Sequence, residues 1–197
     1  MSDEAISSGA RRYCLFETGI GVCGVAWSDL GLTMLQLPEV NADATERRLR
    51  LKTQGGPAKI IPPRIAQIID DIRAYAAGDK VDFGAAELDL TRTPNAYAGI
   101  YAATRQVAWG QTATYGDLAR AVGTPGAARV VGQAMGRNPL PIIIPCHRIL
   151  ASGGKSGGFS AHGGVATKTR LLELEGVRIG QPDTGQQAFA FERDRGR

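Results

Sequence analysis

The two halves of this 197-residue chain differ in how hydrophobic and polar positions are arranged. Tyr13 to Thr18 and Val22 to Trp27 read as β-strands around the turn-forming Gly19-Ile20-Gly21, which predicts a hairpin. A third β-like run, Gly31 to Leu37, precedes Asp43-Ala44-Thr45-Glu46, an acidic first turn leading into a short, exposed basic helix, Arg47 to Lys52. After the break at Gly55-Gly56-Pro57, Pro62-Pro63 opens a stretch in which Ile65, Ile68, Ile69, Ile72 and Tyr75 recur at helical spacing and stop at Gly78. Residues 1–90 place no nucleophile beside a base and contain no phosphate-binding glycine loop, so the first half reads as a structural α/β domain.

The texture changes at Thr93-Pro94. Pro94 can start a helix running through Tyr101 to about Val107, which Trp109-Gly110-Gln111-Thr112 breaks. Two short helices follow, Tyr115 to Val122 and Ala127 to Met135, joined by Gly123-Thr124-Pro125-Gly126 in a helix-turn-helix outline. The second of them carries small residues around Arg129. Such a face permits close approach to nucleic acid, with the arginine reaching a groove or the base stack, and it equally suits tight helix packing, which spacing alone favours. Ile142-Ile143-Ile144 reads as a buried strand ending at Pro145-Cys146-His147-Arg148, and a glycine-rich loop, residues 153–164, leads into a helix from Thr167 to Leu174.

With 43% hydrophobic and 21% charged residues the chain can bury a core and is not disordered. It lacks the roughly 18 consecutive apolar residues of a membrane span, and Met1-Ser2-Asp3-Glu4 lacks the order of a signal peptide, so a soluble cytoplasmic protein without membrane contact is expected. The net charge of +4 is unevenly spread. Residues 1–90 hold ten Lys and Arg against thirteen Asp and Glu, a balance of −3; residues 91–197 hold thirteen against six, a balance of +7. Between Asp117 and Glu173 there is no carboxylate, yet Arg120, Arg129, Arg137, Arg148, Lys155, Lys168 and Arg170 all fall there. That stretch is suited to a polyanion.

Three cysteines, Cys14, Cys23 and Cys146, are too few and too scattered for a disulfide framework, which points to a reducing compartment. With only two histidines besides, both in the basic half, a zinc site is not expected. Cys146, at the end of an apolar run and next to an imidazole and a guanidinium, has the setting that lowers a thiol's pKa and is the candidate nucleophile. The competing reading is a core cysteine beside a hydrogen-bonding histidine. The glycine-rich loop followed directly by a helix favours a site, because such loops often close over a ligand.

In order along the chain, Tyr115-Gly116-Asp117-Leu118-Ala119, Arg129-Val130-Val131-Gly132, Gly136-Arg137-Asn138-Pro139, Ile144-Pro145-Cys146-His147-Arg148-Ile149 and Leu171-Leu172-Glu173-Leu174-Glu175-Gly176 make residues 94–176 resemble the catalytic domain of the 6-O-alkylguanine-DNA alkyltransferases. The resemblance implies an α/β domain with a ribonuclease-H-like fold over residues 1–92 and a mainly α domain with a winged-helix-like helix-turn-helix over 93–180. Residues 181–197 are left as a tail, expected to be disordered. It further implies a monomer without a cofactor whose partner is double-stranded DNA containing alkylated guanine.

By the same resemblance, Cys146 takes the alkyl group irreversibly, His147 acts through a water as its base, and Glu175 orients the imidazole. Tyr115 donates to the guanine ring as it leaves. Asn138, Ile149, Phe159 and Ser160 surround the substrate, with Asn138 bracing the turn at the cysteine, and Pro145 and Arg148 shape the site. Arg129 fills the vacated base stack, with Ala128, Gly132 and Thr114 also against the DNA. The chain departs from the family pattern at Asn95, where many members have an aromatic, at Phe159, where some have tyrosine, and at Ala161-His162, which lengthen the loop; His162 reads as a solvated side chain. The rivals are a non-catalytic alkylated-DNA-binding protein, against which Cys146 itself counts, a regulatory helix-turn-helix protein, and a cysteine hydrolase, which would need a distant histidine.

Overall fold

The structure, a computed structural model, describes residues 11–179 and Phe191. The expectation for residues 181–197 therefore lies, Phe191 apart, outside the described residues. Strands β1 (Arg12–Thr18), β2 (Gly21–Ser28) and β3 (Gly31–Gln36) form an antiparallel meander, and the two-residue β4 (Gly56–Pro57) pairs parallel with β1, giving the order β3-β2-β1-β4. The hairpin register sets Cys14 opposite Val25 and Phe16 opposite Cys23.

Cys23 to Ser28 are buried without alternation because helices cover both faces of the sheet. On one side lies α1 (Ala42–Thr53), whose Leu49 packs with Tyr13 and Ala26. The expectation of a short, exposed helix from Arg47 to Lys52 is corrected here. Asn41 caps the N-terminus through Ala44, so the helix has twelve residues, and Thr45, Leu49 and Thr53 form a buried stripe that the run of arginines conceals in sequence. On the other side, α2 (Pro63–Ala77) starts with proline at its first position and ends at Gly78 in the left-handed conformation. Its Ile65, Ile69, Ile72 and Tyr75 enter the main core.

In the second half, Pro94 precedes a 3-10 turn (Asn95–Tyr97) that runs into α3 (Ala98–Gln106). Strand β5 (Ala113–Thr114) leads to α4 (Tyr115–Ala121), which a reciprocal capping box of Thr114 and Asp117 begins. Helix α5 (Ala128–Gly136) completes the helix-turn-helix outline. After a 3-10 turn (Cys146–Arg148), β6 (Ile149–Leu150) pairs parallel with β5, and α6 (Val165–Leu174) closes the unit.

Ile142 to Ile144 are buried as expected, but they form a turn and not a strand. The Ile144 N–H is spent on Leu140 O at 2.7 Å, and Ile142 sits at φ 72°, a conformation no strand contains. One buried cluster runs through both halves, joining Leu32, Leu35 and Ile72 to Ile100, Ile143 and Leu171. The Leu35 N–H also donates to Pro139 O at 2.9 Å, tying β3 to the turn that precedes the cysteine. Among the described residues no helix is long and apolar enough to cross a membrane.

Candidate active site

The turn that presents Cys146 is built from local chemistry. Pro145 lies at φ −77°, ψ 64°, the centre of an inverse γ-turn that the Cys146 N–H closes on Ile144 O at 2.7 Å. Proline suits that position because its ring sets φ and the turn needs no donor from it. Asn138 braces the segment from both ends: its Nδ2 donates to Ile144 O at 2.7 Å, and its Oδ1 accepts from the Leu140 N–H at 3.0 Å.

The following residue, His147, is fully buried, and its Nε2 lies 2.7 Å from Glu175 Oε1. Glu175, just beyond the last turn of α6, also accepts from Arg148 Nε and Nη2 at 2.8 and 2.9 Å, from the Tyr75 hydroxyl at 2.8 Å and from the Gly110 N–H at 3.3 Å. Burial alone would raise this carboxyl; the bonds from His147 and Arg148 overturn that and hold it well below the usual carboxylate range. A carboxylate this well satisfied keeps the proton on Nε2. His147 Nδ1 makes no hydrogen bond to protein and is left as the nitrogen with a free lone pair. Burial pulls the His147 pKa down, with Glu175 pulling the other way and Arg148 and Lys168 adding to the fall.

Cys146 corrects one expectation. Its surroundings push the thiol up, because burial outweighs hydrogen bonding from Asn138 and the charge of Lys168. The guanidinium of Arg148 does not serve the sulfur; it is committed to Glu175 and to Val107 O, 2.6 Å away. The cation acting on Cys146 is Lys168, fully buried, with Nζ donating to Ile149 O at 2.5 Å and lying 5.9 Å from the Tyr115 ring centroid. Burial brings this amine down to about 8, the cysteine opposing that fall.

Cys146 borders a cavity of about 380 Å³ whose other walls are Tyr115, Gly132, Met135 and Gly136 from the helix-turn-helix and Gly158, Phe159 and Ser160 from the loop. This volume lies within the range of small-molecule pockets. Gly157, at φ 67°, lets the loop approach Tyr115: a Cβ there would stand 3.1 Å from the phenol oxygen. Ile149 is buried at the start of β6, Thr114 is half-buried as the cap of α4, and Arg129 is exposed in the first turn of α5, beside half-buried Ala128. His162 is half exposed, its Nδ1 3.5 Å from Glu39 Oε2. Among the described residues no group of three or more His, Cys, Asp or Glu could hold a metal ion.

The structure thus brings Cys146, His147, Glu175, Tyr115, Asn138, Phe159 and Ser160 to one cavity or its buried backing, and sets Arg129 on the outer face of α5. Two buried groups at the site went unread in the sequence. Lys168 lies three and four residues before Leu171 and Leu172, on the helix face that faces the core, and that spacing was a usable signal. Tyr75 continues an isoleucine stripe and has no such mark, so it reads as an ordinary core aromatic.

Residues 95–177 match the family model described as 6-O-methylguanine DNA methyltransferase, DNA binding domain. A methylated-DNA–protein-cysteine methyltransferase of Mycobacterium bovis is 41% identical over 117 residues, 59% of this chain and 68% of that protein. One from Mycolicibacterium paratuberculosis is 40% identical over 164 residues, 83% of this chain and 92% of its own. The crystal structure of Mycobacterium tuberculosis OGT in complex with DNA superposes with a TM-score of 0.68 at 35% identity, covering 83% of this chain and 92% of that one. With similarity at this level over nearly the full length of a relative, and a buried cysteine followed directly by a histidine paired to a buried glutamate, the chain belongs to the methylated-DNA–protein-cysteine methyltransferase family.

Proposed function

We propose that this protein repairs DNA by direct reversal, moving a methyl or larger alkyl group from the 6-oxygen of guanine in double-stranded DNA to the sulfur of Cys146. The observation that carries this reading is Cys146 at the wall of a cavity between the helix-turn-helix and the 153–164 loop, immediately before a histidine held on a buried carboxylate.

In the reaction the Cys146 thiol gives its proton, through a water, to Nδ1 of His147, whose Nε2–H stays on Glu175. The sulfur attacks the alkyl carbon, a carbon–sulfur bond forms as the carbon–oxygen bond breaks, and the electron pair withdraws into the purine. Tyr115 gives a proton to the guanine ring as that charge develops and regains one through water from the His147 imidazolium, giving neutral guanine, an S-alkyl cysteine and neutral His147. Displacement at an sp³ carbon needs no oxyanion hole, and no cofactor takes part. The carbon–sulfur bond of the thioether is stable to water, so each molecule acts once. Raised by burial, the thiol rests protonated, so its proton must pass to His147 for the sulfur to attack.

The target base must leave the duplex to reach the sulfur, at a cost of a few kcal/mol that is smaller for a damaged, poorly paired base. Arg129, exposed on α5, fills the gap, while Ala128 and Gly132 let the helix approach and Thr114 meets the backbone. At Gly132 a Cβ would meet nothing within 4 Å, in keeping with an open helix face. The base is held by backbone groups at Cys146 and Ile149, with Phe159 as a wall and Ser160 beside the alkylated oxygen; Asn138, Pro145 and Arg148 keep the turn and the His147–Glu175 dyad in place. DNA is gripped mainly through phosphates by the exposed cations of the carboxylate-free stretch, Arg120, Arg129, Arg137, Lys155 and Arg170, so binding weakens with salt; Arg148 and Lys168 of that stretch are buried and serve the site instead. The protein works as a cytoplasmic monomer of two domains, a ribonuclease-H-like one over 1–92 and a winged-helix-like one over 93–180.

The test is duplex DNA carrying radiolabelled 6-O-methylguanine, followed by intact-protein mass measurement. The label moves to wild-type protein in a single turnover and not to Cys146→Ser. Failure of wild type to take the label, or equal labelling of the serine variant, overturns the reading.

A further inference from the structure

We propose that Tyr75, from the first half of the chain, is a positioning residue of the dyad: its hydroxyl, donating to Glu175 Oε1, sets the direction and effective charge of that carboxylate and through it the tautomer and basicity of His147. The assignment rests on reading Cys146, His147 and Glu175 as the alkyl-accepting machinery.

Tyr75 lies in the last turn of α2 and is fully buried. Its hydroxyl is 2.8 Å from Glu175 Oε1 and 3.1 Å from His147 Nε2, across 100 and 72 residues of sequence. Its ring is held edge-on to Trp109 at 5.4 Å and tilted against Phe83 at 6.2 Å between centroids, which leaves the hydroxyl little freedom. Burial and the neighbouring Glu175 carboxylate push the phenol far above its ordinary range, so it keeps its proton and acts as a donor.

Nε2 of His147 thereby has both of its neighbouring oxygens assigned, while Nδ1 has no protein partner. Nε2–H points at a carboxylate oxygen and a phenol oxygen that share one proton between them, and Nδ1 is turned away from both. Among the described residues, the charged and titratable groups around the imidazole are Glu175 from the end of α6, Lys168 within α6, Arg148 and Cys146 from its own turn, and Tyr75 from α2. Of these, only Tyr75 comes from the first half. The first half therefore does more than complete the core: it delivers a hydrogen bond to the site. A core tyrosine that merely satisfies its own hydroxyl would leave the titration of His147 unchanged when replaced by phenylalanine. A positioning tyrosine would not, because Glu175 would lose a donor, gain effective charge and hold the imidazolium more tightly.

The test is nuclear magnetic resonance of histidine-labelled full-length protein, which has only His147 and His162 to observe; His162→Ala identifies the signals. In wild type His147 carries its proton on Nε2. In Tyr75→Phe its titration midpoint moves up, by about one unit for the loss of one bond to an ionised group. An unchanged or lowered midpoint overturns the proposal. Should the phenylalanine variant melt, 3,5-difluorotyrosine at position 75 decides, because a stronger donor to Glu175 moves the midpoint down; no movement overturns the proposal as well. Label transfer from methylated DNA, run on the same samples, tests the repair reading separately, since the titration needs no DNA.

Discussion

Arg148 grips the Glu175 carboxylate at two points, Nε to Oε2 at 2.8 Å and Nη2 to Oε1 at 2.9 Å, while its Nη1 holds Val107 O at 2.6 Å. This pair is what allows an ionised carboxylate to stand beside a buried imidazole. Arg148→Met leaves that charge uncompensated and is expected to cost about 3–5 kcal/mol. Urea denaturation measures it, and a loss below about 1 kcal/mol would show that the pair does not hold the site together.

Stability should fall as the solution is acidified through the titration range of histidine. Burial depresses the His147 pKa, so the folded state binds this proton less readily than the unfolded chain does. The contribution is complete above the unfolded value of about 6.5 and is lost as pH falls through the folded one. The depressed carboxyls, Asp89, Asp117 and Glu175, give up their contributions at lower pH, below the ordinary carboxylate range. Denaturation midpoints between pH 7.5 and 5 should therefore decline in wild type and in His162→Ala, and flatten in His147→Asn.

Lys168 gives folding and chemistry opposite demands. Its amine is fully buried with a backbone carbonyl as its hydrogen-bond acceptor, yet its charge favours the thiolate of Cys146. Lys168→Met is expected to leave the melting temperature equal or higher while slowing modification of Cys146 by iodoacetamide about tenfold at neutral pH, one unit of thiol pKa. Unchanged reactivity would remove Lys168 from the activation of the sulfur.

Gly157→Ala places a side chain where φ is 67° and the Tyr115 hydroxyl would be 3.1 Å from the new carbon. The strain is about 1 kcal/mol, and the Tyr115 phenol must shift. Transfer from methylated DNA should slow, while iodoacetamide modification of Cys146 stays near wild type. Equal losses in both assays would place the effect on the cysteine turn instead.

Arg129→Ala should slow repair of 6-O-methylguanine in duplex DNA far more than reaction with the free methylated base, because only the duplex requires a filled gap. A variant slowed equally toward both substrates would exclude that role.

Much of the fold is local and was legible. The hairpin follows from β-like runs around Gly19-Ile20-Gly21, and α2 from isoleucines at helical spacing between Pro63 and Gly78. The helix-turn-helix outline is visible because prolines and glycines punctuate it. Periodicity failed where neighbours decide conformation. Ile142 to Ile144 look like a strand by hydrophobicity, but Ile142 lies at positive φ and the Ile144 N–H closes back on Leu140 O, so the run folds as a turn. Helix α1 looks exposed because arginines surround the one leucine that packs inward.

What the sequence determined by itself was the order of elements, the basic stretch and the Pro145-Cys146-His147-Arg148 motif, since dihedral preferences, periodicity and charge are properties of short segments. Only the tertiary structure decided where the polar groups of the site point. It turned Arg148 away from the sulfur and onto Glu175, made Lys168 the cation beside Cys146, and brought Tyr75 from the first half to the His147–Glu175 pair. A buried hydrogen bond needs its partner within about 3 Å in a particular direction, and for residues up to 100 positions apart that closeness comes from the packing of α2 against the rest of the core.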